Sequence, residues 1–217
     1  MTGLLGPAEG IGIVVGMAAE ARLARRITPH VRVAAGLPGE PARLAAQLVA
    51  EGATILISFG IAGGLTNDVV PGTLIVADRI VTDDGEFPGT SALAAALGAR
   101  IGAIYGGLGI VATPDDKRDL HHRTGALAVD METGGVAWLA AKAGVPFIAI
   151  RAIADPAWRT LPPAATLPLD ANGHPRLGAV FSSIFRQPNQ LPHLIAVARE
   201  SGAAMRALAR VGRILGA

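Results

Sequence analysis

The chain has 217 residues, of which 51% are hydrophobic and 4% aromatic, and its formal net charge is +2. This length is sufficient for a substantial core, so we predict a single domain over residues 1–217. The absence of cysteine excludes disulfides, thiolate metal ligands and a cysteine nucleophile. Because no uninterrupted apolar segment reaches the roughly 20 residues that a membrane span requires, we expect a cytoplasmic protein.

The first part of the chain alternates between strand and helix patterns. The apolar run at 11–15 predicts a buried strand, and Glu20 falls in the first turn of the helix that follows. Gly10 and Gly12 precede this strand instead of following it, which argues against a dinucleotide-binding fingerprint. The next patterns predict a strand at 31–35, a helix at 41–51 and a strand at 54–59.

A glycine-rich segment, GIAGG at 60–64, follows directly after the strand predicted at 54–59. Glycines at the carboxyl end of a strand favour a loop in which a ligand or another backbone lies within contact distance. A sterically tight turn is the alternative interpretation. Further patterns predict strands at 73–77, 101–105 and 108–112, the last two joined by a Gly-Gly hairpin turn, and short helices at 92–97 and 115–122.

The most informative stretch is residues 129–155, VDMETGGVAWLAAKAGVPFIAIRAIAD. Residues 132–143 favour a helix with Glu132 in its first turn. Residues 145–153 form a nearly continuous apolar run, which is typical of a strand covered on both faces. Asp155 lies at the carboxyl end of this strand, where open α/β sheets place their chemistry. The alternation along the chain predicts an α/β fold, a three-layer α/β/α sandwich with a central mixed sheet.

The carboxyl-terminal part has a different composition. Residues 158–175 are rich in proline and predict a long loop that could act as a lid. Residues 191–216 predict a final helix with arginines on one side and apolar residues on the other. Either the apolar side docks on the domain and the arginines face water, or the basic helix contacts an anionic membrane surface. The arginines on this helix are Arg199, Arg206, Arg210 and Arg213.

Several kinds of site are not supported by the sequence. It contains no phosphate-binding loop motif, no zinc-protease motif and no nucleophile elbow. The five histidines are scattered, so no metal site is predicted, and the basic residues lack interleaved aromatics, so no nucleic-acid partner is expected. What remains is Glu20, Glu132 and Asp155. Carboxyl groups with separated pKa values suit glycosidic chemistry, whereas helix-start or capping charges are the structural alternative.

Three ordered segments, GIVVGMAAEA at 12–21, ISFGIAGGL at 57–65 and the stretch at 129–155, resemble the nucleoside phosphorylase family that includes methylthioadenosine/S-adenosylhomocysteine nucleosidase. The segments LPPAA at 161–165 and RQPNQLP at 186–192 resemble its hopanoid-associated phosphorylase subgroup. The resemblance implies cleavage of the N-glycosidic bond of an adenosine-type nucleoside, adenosylhopane for the subgroup, with release of adenine. It also implies a homodimer and no cofactor, with inorganic phosphate as an optional co-substrate.

The resemblance also implies roles for individual residues. Asp155 matches the acid that protonates the purine N7, and Glu20 matches the acid that activates water in the nucleosidases. Glu132 matches the residue that binds the ribose hydroxyls, and Met131 the methionine that packs against the sugar. The other substrate-binding positions that it implies are Val129, Asp130, Ile61, Ala62 and Gly63.

Departures from the family pattern leave the acceptor open. Ser58 stands where bacterial phosphorylases place a phosphate-binding arginine, and Arg22 and Arg25 are the nearby candidates for that function. Our leading hypothesis is an enzyme acting on a nucleoside with a bulky apolar 5′ substituent, lipid-linked in the subgroup and reached at the inner membrane through the basic C-terminal helix. The alternatives are a nucleosidase acting on a soluble nucleoside and a non-catalytic nucleoside-binding protein.

Overall fold

The structure, a computed structural model, describes residue 5 and residues 7–217. The strands in this part of the chain are β1 (Ile11–Val15), β2 (Val31–Val33), β3 (Ile55–Gly64), β4 (Leu74–Thr82), β5 (Gly85–Pro88), β6 (Arg100–Gly106), β7 (Ala128–Asp130) and β8 (Phe147–Asp155). The α-helices are α1 (Ala18–Ala24), α2 (Glu40–Ala50), α3 (Ala94–Leu97), α4 (Pro114–Thr124), α5 (Thr133–Ala143), α6 (Leu177–Arg186) and α7 (Leu191–Leu215).

These eight strands form one mixed sheet. Strand β3 pairs in parallel with β1 and β8 and antiparallel with β7. Strand β4 pairs in parallel with β6 and antiparallel with β5 and β8. Because β6 also pairs with β7, the strands β3, β7, β6, β4 and β8 close a circuit of hydrogen-bonded neighbours. The predicted α/β class with a central mixed sheet is confirmed, and the closed circuit brings the ends of β3, β7 and β8 together.

Helices cover both faces of this sheet, as the side-chain alternation of its strands requires. Ile13 and Ile57 belong to a core that contains residues of α1, α3 and α7. Val14 and Leu56, their neighbours in sequence, belong to a second core with residues of α2 and α5. Each of these four side chains is completely buried, and such burial contributes about 1.5–3 kcal/mol per residue.

The central prediction at 129–155 is confirmed. Helix α5 ends at Gly144, whose φ of 67° lies in the left-handed region that favours glycine. Strand β8 is covered on both faces and extends to Asp155. Glu132 is the N-cap residue of α5, one position before the helix.

Two predictions about loops and strands are wrong. The glycine-rich segment at 60–64 is not a loop but the second half of β3. The predicted strand at 108–112 is absent, since residues 107–113 have no regular structure. Strand β6 pairs in parallel with both its neighbours, so the chain has to leave the sheet through α4 before it returns as β7, and a hairpin is excluded.

The apolar side of α7 docks on the domain, with Leu208 and Val211 completely buried, while its four arginines are exposed. This confirms the first interpretation of that helix. The loop predicted at 158–175 is also confirmed, although it contains a short 3-10 turn at Pro163–Ala165. Helix α6 was not predicted. Within the part of the chain that the structure describes, none of the helices combines the length and the apolar character that crossing a membrane demands.

Candidate functional site

The elements that carry the predicted site residues meet at the carboxyl-terminal half of β3. Ile61 pairs with Ala152 of β8, and Gly63 pairs with Val129 on one side and with Asp155 on the other. Val129 and Ala62 are buried within this part of the sheet. A side chain on Gly63 would place its Cβ 3.1 Å from Asp155 Oδ2, so glycine leaves room for the acid.

Glu20 reaches the same half of β3 from helix α1. Its carboxylate accepts hydrogen bonds from the N–H groups of Gly16 at 3.0 Å, Met17 at 2.8 Å and Ile61 at 2.8 Å. The side chain is buried beside Gly60, where a Cβ would lie 2.6 Å from Glu20 Oε1. Burial raises the pKa of Glu20, and the N–H donors act in the opposite direction. The structure therefore fixes this carboxyl group against β3.

Glu132 lies next to Gly16, one of the residues whose N–H groups donate to Glu20. A Cβ on Gly16 would lie 2.6 Å from Glu132 Oε1, so the glycine that donates to Glu20 also makes room for Glu132. Burial raises the pKa of Glu132 to about 8, and the charges of Asp130 and Glu20 add to this effect. Glu132 Oε2 lies 4.0 Å from a guanidinium nitrogen of Arg151, which acts against them. The structure thus brings Glu20 and Glu132 together.

Arg151 is a completely buried cation in the middle of β8. Its guanidinium donates to Ser58 Oγ at 2.6 Å and to Thr133 Oγ1 at 2.9 Å, and it forms an ion pair with Asp130. The carboxylate of Asp130 also accepts from the side chain and the N–H of Thr133. These internal contacts favour a structural role for Asp130, because a direct bond from its side chain to a ligand would have to replace one of them.

Asp155 has a cation of its own. Its Oδ2 accepts a 2.5 Å hydrogen bond from Lys117 Nζ, and Lys117 also donates to the carbonyl oxygens of Pro156 at 3.0 Å and Arg159 at 3.3 Å. Lys117 is completely buried, and 14% of the Asp155 side chain is exposed. Burial raises the pKa of Asp155, and Lys117 opposes this shift. An acid that is fixed in position and still reachable from outside suits proton transfer to a ligand.

Met131 points to a different place from its neighbour Glu132. It lines a cavity of about 230 Å³, which the three carboxyl groups do not line. The cavity has an apolar wall that includes Leu37, Phe87 and Trp138, and the exposed acids Asp83 and Asp84 also line it. The cavity is connected to the carboxyl groups through the chain, since Met131 directly precedes Glu132.

Comparison with known proteins identifies the family of this chain. A family model described as the phosphorylase superfamily matches residues 31–93 and 90–167. The chain belongs to the phosphorylase superfamily. The matched residues include β3, β7, β8 and two of the three acids.

Curated relatives from this superfamily are hydrolases. A futalosine hydrolase of Streptomyces coelicolor is 35% identical over 136 residues, which cover 48% of this chain and 58% of the relative. The aligned chain therefore spans less than two thirds of that protein. A 5'-methylthioadenosine/S-adenosylhomocysteine nucleosidase of Mycobacterium bovis is 27% identical, and the alignment covers 58% of this chain and 69% of the relative.

Solved structures of the superfamily share the fold. The 5'-methylthioadenosine/S-adenosylhomocysteine nucleosidase of Neisseria meningitidis, in complex with methylthio-immucillin-A, superposes with a TM-score of 0.67 at 16% identity. It covers 96% of this chain and 99% of its own. The native futalosine hydrolase of Helicobacter pylori gives a TM-score of 0.64 at 17% identity, covering 94% of this chain and 97% of its own.

Two residues of this superfamily member were missed in the sequence. Arg151 is the one charged residue within the apolar run of β8, and a lone cation in a strand covered on both faces is a signal of a buried partner. Lys117 gave no comparable signal. It lies in a polar helix, PDDKRDLHHRT, in which Leu120 is the one other buried residue.

Proposed function

We propose that the protein hydrolyses the N-glycosidic bond of an adenosine-type nucleoside that carries a bulky apolar 5′ substituent, and releases adenine. The observation that carries this proposal is the grouping of Glu20, Glu132 and Asp155 around the carboxyl-terminal half of β3, each in a different electrostatic environment. Carboxyl groups separated in this way can divide the roles of acid, base and charge stabiliser.

In the proposed reaction, Asp155 is the general acid. A purine anion is a poor leaving group, so transfer of the Asp155 proton to the purine N7 lowers the barrier as the C1′–N9 bond breaks. Burial favours the protonated form of Asp155, and Lys117 keeps the carboxyl group in one orientation. Adenine leaves as the neutral base.

The ribose binds at Glu132, and the base binds at Asp155. Glu132 binds the ribose hydroxyls, and negative charge in its surroundings stabilises the cationic character that develops at C1′. Glu20 accepts a proton from the attacking water, whose oxygen forms the new bond to C1′. Its three N–H donors use only part of its accepting capacity, since an ionised carboxylate has about four lone-pair positions.

Water is favoured over phosphate as the acceptor. A phosphate ion needs several convergent donors or a free guanidinium. Arg151 and Lys117 are both occupied by internal contacts. The two other candidates, Arg22 on α1 and Arg25 at its C-cap, are both exposed.

The 5′ substituent is assigned to the cavity beside Met131. Its apolar wall begins next to the residue that binds the sugar, which is where a 5′ group would extend. A lipid-linked nucleoside such as adenosylhopane, the substrate implied by the hopanoid-associated subgroup, is our candidate for the natural substrate. The soluble 5′-methylthioadenosine is the alternative, because the relative from Mycobacterium bovis is a 5'-methylthioadenosine/S-adenosylhomocysteine nucleosidase.

The direct test follows adenine release from adenosine, 5′-methylthioadenosine and 5′-alkyl adenosines of increasing chain length, with and without phosphate. We expect adenine release without phosphate, and a ribose product that keeps its 5′ substituent and carries no phosphate at C1′. We also expect kcat/KM to rise with the length of the 5′ chain. Leu37→Ala, which alters the cavity wall, should lower kcat/KM for the long-chain substrates. Val70→Ala should not, since Val70 is similarly exposed, at 48% against 49%, but lies outside that wall.

Other outcomes of this assay would overturn parts of the proposal. A strict requirement for phosphate would make the protein a phosphorylase. A maximum at 5′-methylthioadenosine would remove the apolar 5′ group from the proposal. Tight binding of the nucleosides without turnover would support a non-catalytic binding protein.

A further inference from the structure

Helix α6 carries its large apolar side chains on the outside of the protein. Leu177, Phe181 and Phe185 are spaced four residues apart and are 65%, 68% and 90% exposed. This spacing places all three on one face of the helix. None of the residues of α6 is buried. A helix on the surface of a globular protein normally has the opposite arrangement, with its apolar face toward the core.

The orientation of α6 is fixed by polar bonds on its inner side. Gln190, which is buried, donates to the carbonyl oxygen of Ser183 at 2.9 Å and to its hydroxyl at 3.1 Å. The other end of the same amide accepts from the N–H of Ala164 at 2.9 Å. Turning the apolar face of α6 inward would break the two bonds to Ser183 and leave the donor end of a buried amide without a partner. The outward face is therefore a built feature of the fold.

Helix α7 also begins with exposed apolar side chains. Leu191 and Ile195, four residues apart at the start of α7, are 47% and 46% exposed. We call these two residues, together with Leu177, Phe181 and Phe185, the apolar patch. Isolated exposed apolar residues are ordinary, but a cluster of five in two consecutive helices indicates a surface that another phase or molecule covers.

The segment that carries the apolar patch is basic. Residues 171–199 contain Arg176, Arg186 and Arg199 and no acid. All three arginines are exposed. The acids at its two ends are engaged in internal contacts, Asp170 with the N–H groups of Asn172 and His174 and Glu200 with Arg159. Apolar side chains flanked by arginines complement an anionic bilayer, in which the apolar groups enter the headgroup boundary and the guanidinium groups meet phosphates. A two-fold contact between two copies would instead bring this basic segment against itself.

We propose that α6 and the start of α7 form a membrane-docking surface for anionic lipid bilayers. Leu177, Phe181 and Phe185 enter the boundary between headgroups and acyl chains, and the flanking arginines bind lipid phosphates. This surface differs from the one expected from the sequence, because the inserting residues belong to α6 and not to the basic C-terminal helix alone. The inference goes beyond the proposed function and does not depend on it.

The test is co-sedimentation of the full chain with vesicles of phosphatidylcholine alone and of phosphatidylcholine mixed with phosphatidylglycerol. We expect binding to the anionic vesicles that weakens as salt is added. The double variant Phe181→Ser/Phe185→Ser should lower the affinity at least about tenfold, since it removes two large inserting side chains. The control Val70→Ser/Ile101→Ser changes two exposed apolar residues outside the apolar patch and should bind as the unaltered chain does.

Replacement of Arg176, Arg186 and Arg199 by glutamine should reduce binding to anionic vesicles and flatten its salt dependence. Circular dichroism verifies that each variant is folded. Equal binding by the Phe181→Ser/Phe185→Ser variant and the unaltered chain would overturn the proposal, as would absence of binding to anionic vesicles. A lipid-free dimer that dissociates in this variant would assign the apolar patch to contacts between copies. Since vesicle binding requires no turnover, failure here leaves the proposed reaction untouched.

Discussion

We call Glu20, Glu132 and Asp155 the carboxyl cluster. The carboxyl groups at its two ends, Asp155 and Glu132, have different partners. At the β8 end, Asp155 is bound to Lys117, a buried cation with every ammonium hydrogen engaged. At the β7 end, Glu132 lies close to two other acids, and its nearest cation, Arg151, is 4.0 Å away. Burial raises the pKa of both carboxyl groups. At Asp155 the hydrogen-bonded Lys117 is the main opposing influence and Glu200 adds to the shift, whereas at Glu132 the charge of Asp130 adds to it and that of the more distant Arg151 opposes it.

We infer from this difference that the partners of each carboxyl group fit it for its proposed role. A carboxyl group held by a fixed cation keeps one orientation and suits proton transfer in a defined direction. A carboxyl group with acidic neighbours lies in a region of negative potential, and such a potential stabilises a cation that develops nearby. The following predictions test whether the two ends are as different as their surroundings indicate.

The largest effect is expected from removal of the acid at the β8 end. Asp155→Asn preserves the size and the polarity of the side chain but cannot donate a carboxylic proton. We expect the rate of adenine release to fall by about 10²–10⁴-fold. The measurement is the rate constant of adenine release under single-turnover conditions. A rate within a factor of two of the unaltered chain would show that Asp155 is not the general acid.

Removal of the buried cation in β8 tests the Glu132 end through stability. Arg151→Met leaves Asp130 buried without its ion-pair partner, which costs about 3–5 kcal/mol. The free energy of unfolding from urea titration measures this cost. Arg32→Met is the control, because it breaks an exposed pair with Glu51 and should cost no more than about 1 kcal/mol. Equal losses in the two variants would contradict the account of the buried network.

The dependence of stability on pH tests Glu132 itself. Its pKa is about 8 in the folded protein against 4.5 for the ordinary group, so between these values the folded state binds more protons than the unfolded state. The contribution of Glu132 to stability is therefore complete below about pH 4.5 and is lost as the pH rises through 8. Glu132→Gln, which stays neutral, should show a flatter decline in Tm from pH 5 to pH 9 (roughly the range this linkage spans). An unchanged pH profile would contradict the raised pKa.

The smallest effect is expected from the cation at Asp155. The proposed acid must be protonated, so activity should be lost as the pH rises through the pKa of Asp155. Lys117 lowers this pKa, and Lys117→Met should therefore move the alkaline limb of kcat/KM to higher pH. Arg118→Met, an exposed neighbour on the same helix, should leave the limb in place. A limb that stays or moves to lower pH in Lys117→Met would show that Lys117 does not set the protonation of Asp155.

The sequence predicted the elements whose signals are local. Continuous apolar runs were enough to predict β1 and β8, with Asp155 at the end of a strand, and the helix-favouring residues at 132–143 predicted α5. The closed circuit of strands depends on pairings between distant segments, so the glycines of β3 were placed in a loop. Two of these positions have no room for a side chain, because the carboxyl groups of Glu20 and Asp155 occupy the space beside Gly60 and Gly63.

The partners of the acids were harder to predict. Lys117 and Asp155 are 38 residues apart, and nothing in the polar pattern of α4 indicates that one of its lysines is buried. Arg151 could be noticed as a single charge in an apolar strand, but this pattern does not predict that its partner is Asp130. Helix α6 was not predicted, although Leu177, Phe181 and Phe185 recur at helical spacing, and the sequence could not show that this face lies on the outside.

The most direct test of the central claim is a crystal structure of the Asp155→Asn variant with 5′-methylthioadenosine bound. Our account predicts that adenine N7 accepts a hydrogen bond from the residue 155 side chain and that the ribose hydroxyls bind Glu132. It also predicts that C1′ faces Glu20 and that the methylthio group points to the cavity beside Met131. A nucleoside whose base lies in that cavity, away from residue 155, would contradict it.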